Sequence, residues 1–256
     1  MKDIFCWQHI VYLLISVAFV IGMIFLVRFL CRNNVKNKKY YVFAFAIVTL
    51  IIMLVNKFAI WIKYDYNFAC FVPGSFCSTL AIYGPLVMLL AKPNSRVFNF
   101  AIFAQALGGL LTMVYPEFML GKDNFFDLVD FTGLLFHTMM FLNFVFVLGI
   151  GYFKPSMKNW SSFVWGLIAM VPFILFTTQV FGVAEDMYLT RPAIEGTMLY
   201  WWVIGILAII LYTIFILIYE QFAYKKEERF VYISYHKLKE KFSKKKKEDK
   251  QESIDE

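Results

Sequence analysis

Charged side chains are scarce in this chain of 256 residues: Asp, Glu, Lys and Arg make up 17% of it, against about a quarter in an ordinary soluble domain. Hydrophobic residues, in contrast, make up 61%. A soluble domain of this size buries only about three quarters of the surface that its unfolded chain exposes, so it has no place for so much apolar surface. The composition therefore excludes a soluble enzyme, a disordered tail protein and a fibrous repeat, and it predicts a polytopic membrane protein.

Residues that bind metals and cofactors are equally few, with three histidines and four cysteines in the whole chain. The sequence contains neither the CxxC nor the HExxH spacing of zinc sites, and it has no glycine-rich phosphate-binding loop. The last apolar segment has no lysine for a retinal Schiff base. Only His137 lies deep in a predicted span, which excludes a membrane diheme cytochrome. We therefore expect no metal and no cofactor.

Seven apolar segments are long enough to cross a membrane as helices, which takes about 20 residues each. They are residues 10–30, 41–63, 71–91, 97–115, 130–153, 160–181 and 197–220. The predicted fold is all-α: a polytopic membrane domain of about seven transmembrane helices in residues 1–221. A basic tail follows in residues 222–256, and we expect part of it to be an amphipathic helix and the rest to be disordered.

Basic residues mark one side of the membrane, because Lys and Arg collect in cytoplasmic loops. Alternate connections carry at least two of them, and the opposite connections carry single basic residues together with seven acidic ones. The basic connections contain Arg32, Lys36, Lys38 and Lys39, then Lys92 and Arg96, then Lys154 and Lys158. This alternation predicts an N-terminus outside and a C-terminus in the cytoplasm, and a model with six spans would break it.

The tail holds eleven basic residues between Lys225 and Lys250. One interpretation is a solvated tail that enforces the orientation of the protein. The other is docking on anionic lipid head groups, which contributes about 1 kcal/mol for each basic residue near the surface. Nucleic acid is not an expected partner, because these residues are not on a folded domain. The sequence does not indicate an oligomeric state.

Cys77 and His137 lie at matching depths in the third and fifth predicted spans. Both spans run inward from the outside, and each residue is four positions outward of the centre of its span. At about 1.5 Å per residue, both lie about 6 Å above the midplane. If the two helices are neighbours, the imidazole can take the thiol proton and the thiolate can attack a carbonyl. The alternatives are a cysteine that packs as a small hydrophobe and a histidine that only bonds a neighbouring helix.

Other polar residues near this depth are candidates for substrate binding. Ser75 and Ser78 flank Cys77, in a helix that we expect Pro73 to open, and Asn56 and Lys57 lie in the second span. Either serine, Asn56 or Asn143 is a candidate donor to an oxyanion. Lys57 has two interpretations: it assists the thiol or binds a substrate phosphate, or it extends to the outer interface.

Three segments resemble motifs of the YwaF-like bacterial integral membrane proteins. FVPGSFCSTLAIYGPLVMLL resembles their third-span pattern, Leu-Pro-Leu-His-Leu-Cys-Ser followed by an apolar helix. ALGGLLTMVYPEF resembles a glycine pair with a following proline, and FTGLLFHTMMFLNFVFVL resembles the histidine helix. The matching residues are Pro73, Cys77, Ser78, Gly108, Gly109, Pro116 and His137. The resemblance covers about residues 40–220.

The YwaF-like family is similar to eukaryotic transmembrane acyltransferases that remodel ether phospholipids, and more distantly to androgen-induced-type membrane hydrolases. The resemblance implies a lipid acyltransferase or acyl hydrolase of the cell membrane, with membrane phospholipids as substrates. It also implies that Cys77 is the nucleophile, that His137 is the general base, and that an acyl-cysteine forms. One departure stands out: Ser75 occupies the position of a family histidine two residues before the cysteine.

Two hypotheses without catalysis stand beside the enzyme. One is a small-molecule transporter or a substrate-capture membrane subunit, whose cavity would be lined by Asn56, Lys57, Gln105 and Asn143. The other is a membrane assembly protein that uses the basic tail as its interaction arm. Bound ligand would favour the first, and loss of function on deleting the tail would favour the second.

Overall fold

The computed structural model describes residues 6–33, 36–115, 127–183, 187–193 and 196–240. Its seven long elements are all α-helices, which confirms the all-α prediction. They are α1 Trp7–Arg32, α2 Lys38–Lys63, α3 Phe76–Leu90, α4 Arg96–Val114, α5 Leu128–Gly149, α6 Trp160–Phe181 and α7 Trp201–Ala223. Residues 230–240, after α7, are also helical and are called the tail helix below. Pro116, which matches a family motif, and the basic residues beyond position 240 lie outside the described residues.

Six of these helices are long and apolar enough to cross a membrane, and α3 is the exception in the described part of the chain. It is apolar but has only 15 residues. At about 1.5 Å per residue it is about 22 Å long, whereas the hydrocarbon core is about 30 Å thick. The prediction of about seven membrane helices is therefore confirmed for six, and the third predicted span contains a shorter helix.

The start of α3 differs from the prediction, because Pro73 does not open the helix. A 3₁₀ turn covers Phe68–Phe71, and Val72 is extended, with φ −78° and ψ 126°. A residue before proline is pushed out of the helical region by the proline ring, so the chain stays extended there. The helix begins only after Ser75, whose side chain satisfies an N–H group of the first turn. The sequence pattern of a long apolar run concealed this break.

Two polar contacts bring together helix ends at one end of the bundle. The Lys63 ammonium lies 2.6 Å from an Asp127 carboxylate oxygen, which joins the end of α2 to the start of α5. His9 Nε2 lies 3.1 Å from the Met113 carbonyl oxygen, which joins the start of α1 to the end of α4. The loop-charge pattern predicts that this end faces outward.

Other contacts define the opposite end of the bundle. The Cys31 thiol at the end of α1 lies 3.7 Å from the Gly149 carbonyl oxygen at the end of α5. The Lys154 N–H donates to the side chain of Asn94, just before α4, at 2.7 Å. Because α2 ends at the first end and α4 begins at this one, the short α3 connects the two ends. The helix ends therefore alternate as the loop charges predict, and the orientation of the termini stays a prediction.

Helices α4 and α5 form the centre of the bundle. In their apolar stretches of 18 residues, 67% and 72% of the stretch is buried inside the protein. The corresponding share is 17–28% for α1, α2, α6 and α7. Helix α4 contacts α3, α5 and α6, and α5 also contacts α1 and α2. The outer helices expose large aliphatic side chains such as Leu14, Ile51 and Leu211. An apolar surface of this kind matches a lipid environment, where it needs no covering by protein.

Candidate active site around Cys77 and His137

A pair of glycines in α4 lies between Cys77 and His137. A Cβ added to Gly108 would lie 3.2 Å from Cys77 Sγ and 3.3 Å from Met140 Cε, so α3 and α5 both approach this point. A Cβ added to Gly109 would lie 2.6 Å from the carbonyl oxygen of His137. Small residues permit such close helix approach in membranes. Cys77 and His137 therefore contact consecutive residues of one helix and lie at the same level of the bundle.

The Cys77 side chain faces α4. Its Sγ lies 3.9 Å from the Gly108 carbonyl oxygen and 4.0 Å from Thr112 Oγ1. Cys77 is the second residue of α3, in the first helical turn. Peptide N–H groups in a first turn lack intrahelical acceptors, and a helix N-terminus attracts negative charge. Thr112 was missed from the sequence, although it is four residues after Gly108 and so lies on the same face of α4.

The His137 imidazole is buried and has a defined orientation. Its Nδ1 lies 2.7 Å from the carbonyl oxygen of Gly133, one turn earlier in α5. A carbonyl oxygen only accepts, so Nδ1 carries the proton and a neutral ring has its lone pair on Nε2. The ring also stacks on Phe136, with centroids 4.1 Å apart. A backbone carbonyl thus orients the histidine through Nδ1.

Cys77 and His137 are both described by the structure, and no hydrogen bond joins these two side chains. The thiol faces Gly108 and Thr112, whereas the Nδ1 edge of the imidazole binds its own helix. The structure thus brings the two residues to the same turn of α4 without direct contact of their reactive atoms. A transfer of the thiol proton to Nε2 requires the thiol to turn from α4 toward α5.

Ser75 and Ser78 build the N-terminus of α3. Ser75 Oγ accepts a hydrogen bond from the Ser78 N–H at 3.1 Å, and Ser78 Oγ accepts one from the Ser75 N–H at 3.1 Å. The two hydroxyls also bond each other at 2.9 Å. This reciprocal arrangement is a capping box, which satisfies two N–H groups at once. Both serines therefore position the turn that holds Cys77, and their predicted contact with substrate stays a prediction.

Asn56 and Lys57 bind backbone carbonyls of neighbouring segments. Asn56 Nδ2 donates to the Val129 carbonyl at 2.8 Å and to Thr132 Oγ1 at 3.0 Å, which joins α2 to α5. The Lys57 ammonium donates to the Cys70 carbonyl at 2.7 Å. This bond holds the 3₁₀ turn Phe68–Phe71 against α2. Both side chains thus position segments around α3, and their predicted contact with substrate stays a prediction.

A second buried polar cluster lies further along the same helices. Asn143 Nδ2 donates to Thr49 Oγ1 and to Gln105 Oε1, each at 3.1 Å. The Gln105 amide packs against Gly84 so closely that a Cβ added at Gly84 would overlap it. Gln105 Nε2 is buried and has no hydrogen-bond partner in the described part of the chain. The cluster joins α2, α4 and α5, and the glycine in α3 makes room for it.

The cysteines form no disulfide, and the potential metal ligands form no metal site, in the described residues. All four cysteines are free thiols. Within the described ranges, no three His, Cys, Asp or Glu side chains come together in a way that could hold a metal ion.

Comparison with known proteins gives one family. The model of the TMEM164 family matches residues 4–219, a range that includes Cys77, His137 and the glycine pair. No curated protein matches the chain. No solved structure matches it either. With six helices fit to cross a membrane, the match identifies a multi-pass membrane protein, and this chain belongs to the TMEM164 family.

Proposed function

We propose that this protein transfers or hydrolyses an acyl chain of membrane phospholipids in the cell membrane, with Cys77 as nucleophile and His137 as general base. One observation carries the proposal: Cys77 Sγ lies against Gly108, and the His137 backbone lies against Gly109. We take this shared turn of α4 as what would bring the thiol of one helix and the imidazole of another within reach of each other. The resemblance to YwaF-like proteins and to ether-phospholipid acyltransferases supports the same pair.

The chemistry follows from the orientation of the imidazole. Nε2 takes the proton of the Cys77 thiol, and the thiolate attacks the ester carbonyl of a phospholipid. The carbon–oxygen bond breaks, and the leaving alkoxide takes the proton from His137 to give a lysophospholipid and an acyl-cysteine. An acceptor hydroxyl then attacks the thioester while Nε2 takes its proton, which passes to the departing Cys77 thiolate. A lysophospholipid acceptor gives acyl transfer, and water gives hydrolysis.

The length of α3 sets the depth of the Cys77 thiol in the bilayer. Cys77 lies thirteen residues from Leu90, the last residue of the helix. This is about 20 Å at about 1.5 Å per residue, or about two thirds of a hydrocarbon core about 30 Å thick. If α3 ends at the inner interface, the thiol lies about 5 Å above the midplane and about 10 Å below the outer edge of the hydrocarbon core. An ester of the outer leaflet therefore has to move inward by about 10 Å to reach it.

The test is detection of the acyl-cysteine. The full chain is reconstituted with ester and ether phospholipids that carry a labelled acyl chain, and protein-bound label released by hydroxylamine is measured. We expect Cys77→Ala to abolish this label and His137→Gln to reduce it by about 10²-fold or more, as for loss of a general base. Cys31→Ala and Cys70→Ala are the matched controls and should retain it. Unchanged labelling and lipid composition in Cys77→Ser and His137→Ala would overturn the proposal.

Capture of a small polar molecule is a second candidate function, and the unpartnered Gln105 Nε2 is the observation that favours it. A buried donor without a partner costs about 1–3 kcal/mol, which a bound acceptor group would recover. Native mass spectrometry of the intact protein is the measurement. A bound small molecule that is lost in Gln105→Leu would support this candidate, and an unliganded mass in both proteins would reject it.

A further inference from the structure

Glu220 lies near the end of α7, and only 2% of its surface is exposed to solvent. Its Oε1 accepts from the Met157 N–H at 2.9 Å and from Ser156 Oγ at 3.1 Å, just before α6. Its Oε2 accepts from the Phe230 N–H at 2.8 Å. One side chain therefore joins the end of α7, the approach to α6 and the first residue of the tail helix.

The start of the tail helix is fixed against α7 by further bonds. Arg229 Nε donates to the Tyr224 carbonyl at 3.1 Å, and its Nη1 donates to Gln221 Oε1 at 3.0 Å. The carboxylate of Glu220 lies at the N-terminus of this helix, where negative charge is favourable. The tail helix is thus attached to the end of a membrane-crossing helix, close to the bilayer interface.

The tail helix leaves one apolar face uncovered by the described residues. Its exposed members are Phe230, Val231, Tyr235 and Leu238, with 44–61% of their surfaces accessible. At 3.6 residues per turn, these four lie on one side of the helix. Lys237 and Lys239 fall on the two borders of that side, and both are exposed. His236 and Glu240 occupy the opposite side.

The charge of this segment complements an anionic surface. Residues 225–247 contain ten basic residues and three acidic ones. An amphipathic helix with an apolar face bordered by lysines lies in the plane of a membrane, with its apolar side among the acyl chains. Basic residues at a membrane surface each add about 1 kcal/mol when the lipids are anionic.

We propose that the tail helix lies on the bilayer surface next to the end of α7 and binds anionic phospholipids. Phe230, Val231, Tyr235 and Leu238 insert among the acyl chains, and Lys237 and Lys239 bind the phosphate and carboxylate groups of the lipids. Glu220 sets the position of the helix and connects it to the start of α6. This surface is separate from the Cys77 site, so its test does not depend on catalysis.

The first experiment measures the depth of two positions in the full chain. The four native cysteines are replaced by alanine, and a nitroxide label is attached at Leu238→Cys or, as the opposite-face control, at His236→Cys. The proteins are reconstituted into phosphatidylcholine vesicles with or without phosphatidylserine. With phosphatidylserine, we expect the label at 238 to collide with oxygen more than with an aqueous nickel complex, and the label at 236 to show the reverse. Equal access of the nickel complex to both positions would overturn the proposal.

A second measurement separates apolar insertion from simple charge attraction. Amide hydrogen exchange of residues 230–240 should be slowed by phosphatidylserine in the native chain and in His236→Lys. In Leu238→Lys the slowing should be lost, although this variant adds the same charge. Equal slowing in both variants, or slowing that persists in detergent without anionic lipid, would show that a protein contact covers the face and would contradict the proposal.

Discussion

Gly109 packs directly on the backbone of His137, since a Cβ at position 109 would lie 2.6 Å from the His137 carbonyl oxygen and 2.8 Å from the Phe141 nitrogen. These neighbours are backbone atoms, so no side chain can move to relieve the overlap. The close approach of α4 and α5 therefore depends on this glycine. Through Gly108, its neighbour, the same turn also fixes the level of Cys77.

Replacing Gly109 with alanine should consequently separate α4 from α5. Overpacking of this kind typically costs about 1–3 kcal/mol, and we expect a lower midpoint temperature of thermal unfolding in detergent. Gly205→Ala is the matched control, because this glycine is also helical and an added Cβ meets nothing within 4 Å. Alanine has the higher helix propensity, so the control should unfold at an equal or higher temperature. Equal midpoints for the two variants would contradict the argument.

Gly84 and Gln105 should be coupled in stability. An added Cβ at Gly84 overlaps the Gln105 amide, so Gly84→Ala alone should lower the unfolding midpoint. In a Gln105→Ala background the overlap disappears, and the same substitution should cost less by about 0.5–3 kcal/mol, the usual range for residues in contact. A double-mutant cycle of unfolding free energies measures this difference. If the effects of the two substitutions on the free energy of unfolding are additive, Gly84 is required for a contact other than the one with Gln105.

The sequence predicted the number and order of the helices because long apolar runs and alternating loop charges are local signals. It predicted the wrong start for α3 because proline is common in the first turn of a helix, whereas here Pro73 comes before the N-cap Ser75. The Ser-x-x-Ser spacing of Ser75 and Ser78 also fits a capping box, which the structure contains. A contact of the two serines with substrate stays a prediction.

The partners of Asn56, Lys57 and Glu220 could not be predicted from the sequence. Each side chain binds main-chain groups, such as the Val129 and Cys70 carbonyls and the Met157 N–H. Main-chain groups occur at every position, so no residue pattern marks the ones that are used. Only the packing of helices distant in sequence decides which carbonyl or N–H meets a given polar side chain.

Ser75 provides a test that distinguishes capping from substrate contact. Ser75→Ala removes the N-cap of α3 and should cost about 1 kcal/mol of stability, while Ser75→Asn keeps an N-cap acceptor and should cost little. The unfolding midpoints of the two variants are compared with that of the native chain. If alanine and asparagine destabilise equally, the hydroxyl acts through contacts other than the cap.

Glu220→Gln should loosen the tail helix while leaving α7 in place. The carboxylate accepts from three donors, and bonds to a charged group contribute about 1.5–3 kcal/mol. We expect faster amide exchange at the first residues of the tail helix and unchanged exchange in the centre of α7. Glu228→Gln, which removes an exposed charge nearby, is the control and should leave both rates as they are. Unchanged exchange in Glu220→Gln would show that Arg229 suffices to hold the helix start.

Thr112 should restrain the Cys77 thiol. Its hydroxyl oxygen lies 4.0 Å from Cys77 Sγ. Thr112→Val removes this polar contact and keeps the shape, so the thiol turns more easily. With a weak bond of about 0.5–1.5 kcal/mol lost, Cys77 should react with a membrane-permeant thiosulfonate roughly two- to tenfold faster.

Thr112→Ser is the control for this effect, because it keeps the hydroxyl and should react at the native rate. The rates are measured in a chain whose other three cysteines are replaced by alanine, so that only Cys77 is modified. A slower reaction of Thr112→Val would mean that the hydroxyl acts instead by stabilising the thiolate, which is the reacting species. An unchanged rate would mean that the hydroxyl does not hold the thiol. In that case the Gly108 carbonyl alone sets the orientation of Cys77, and the turn toward His137 has to break only that contact.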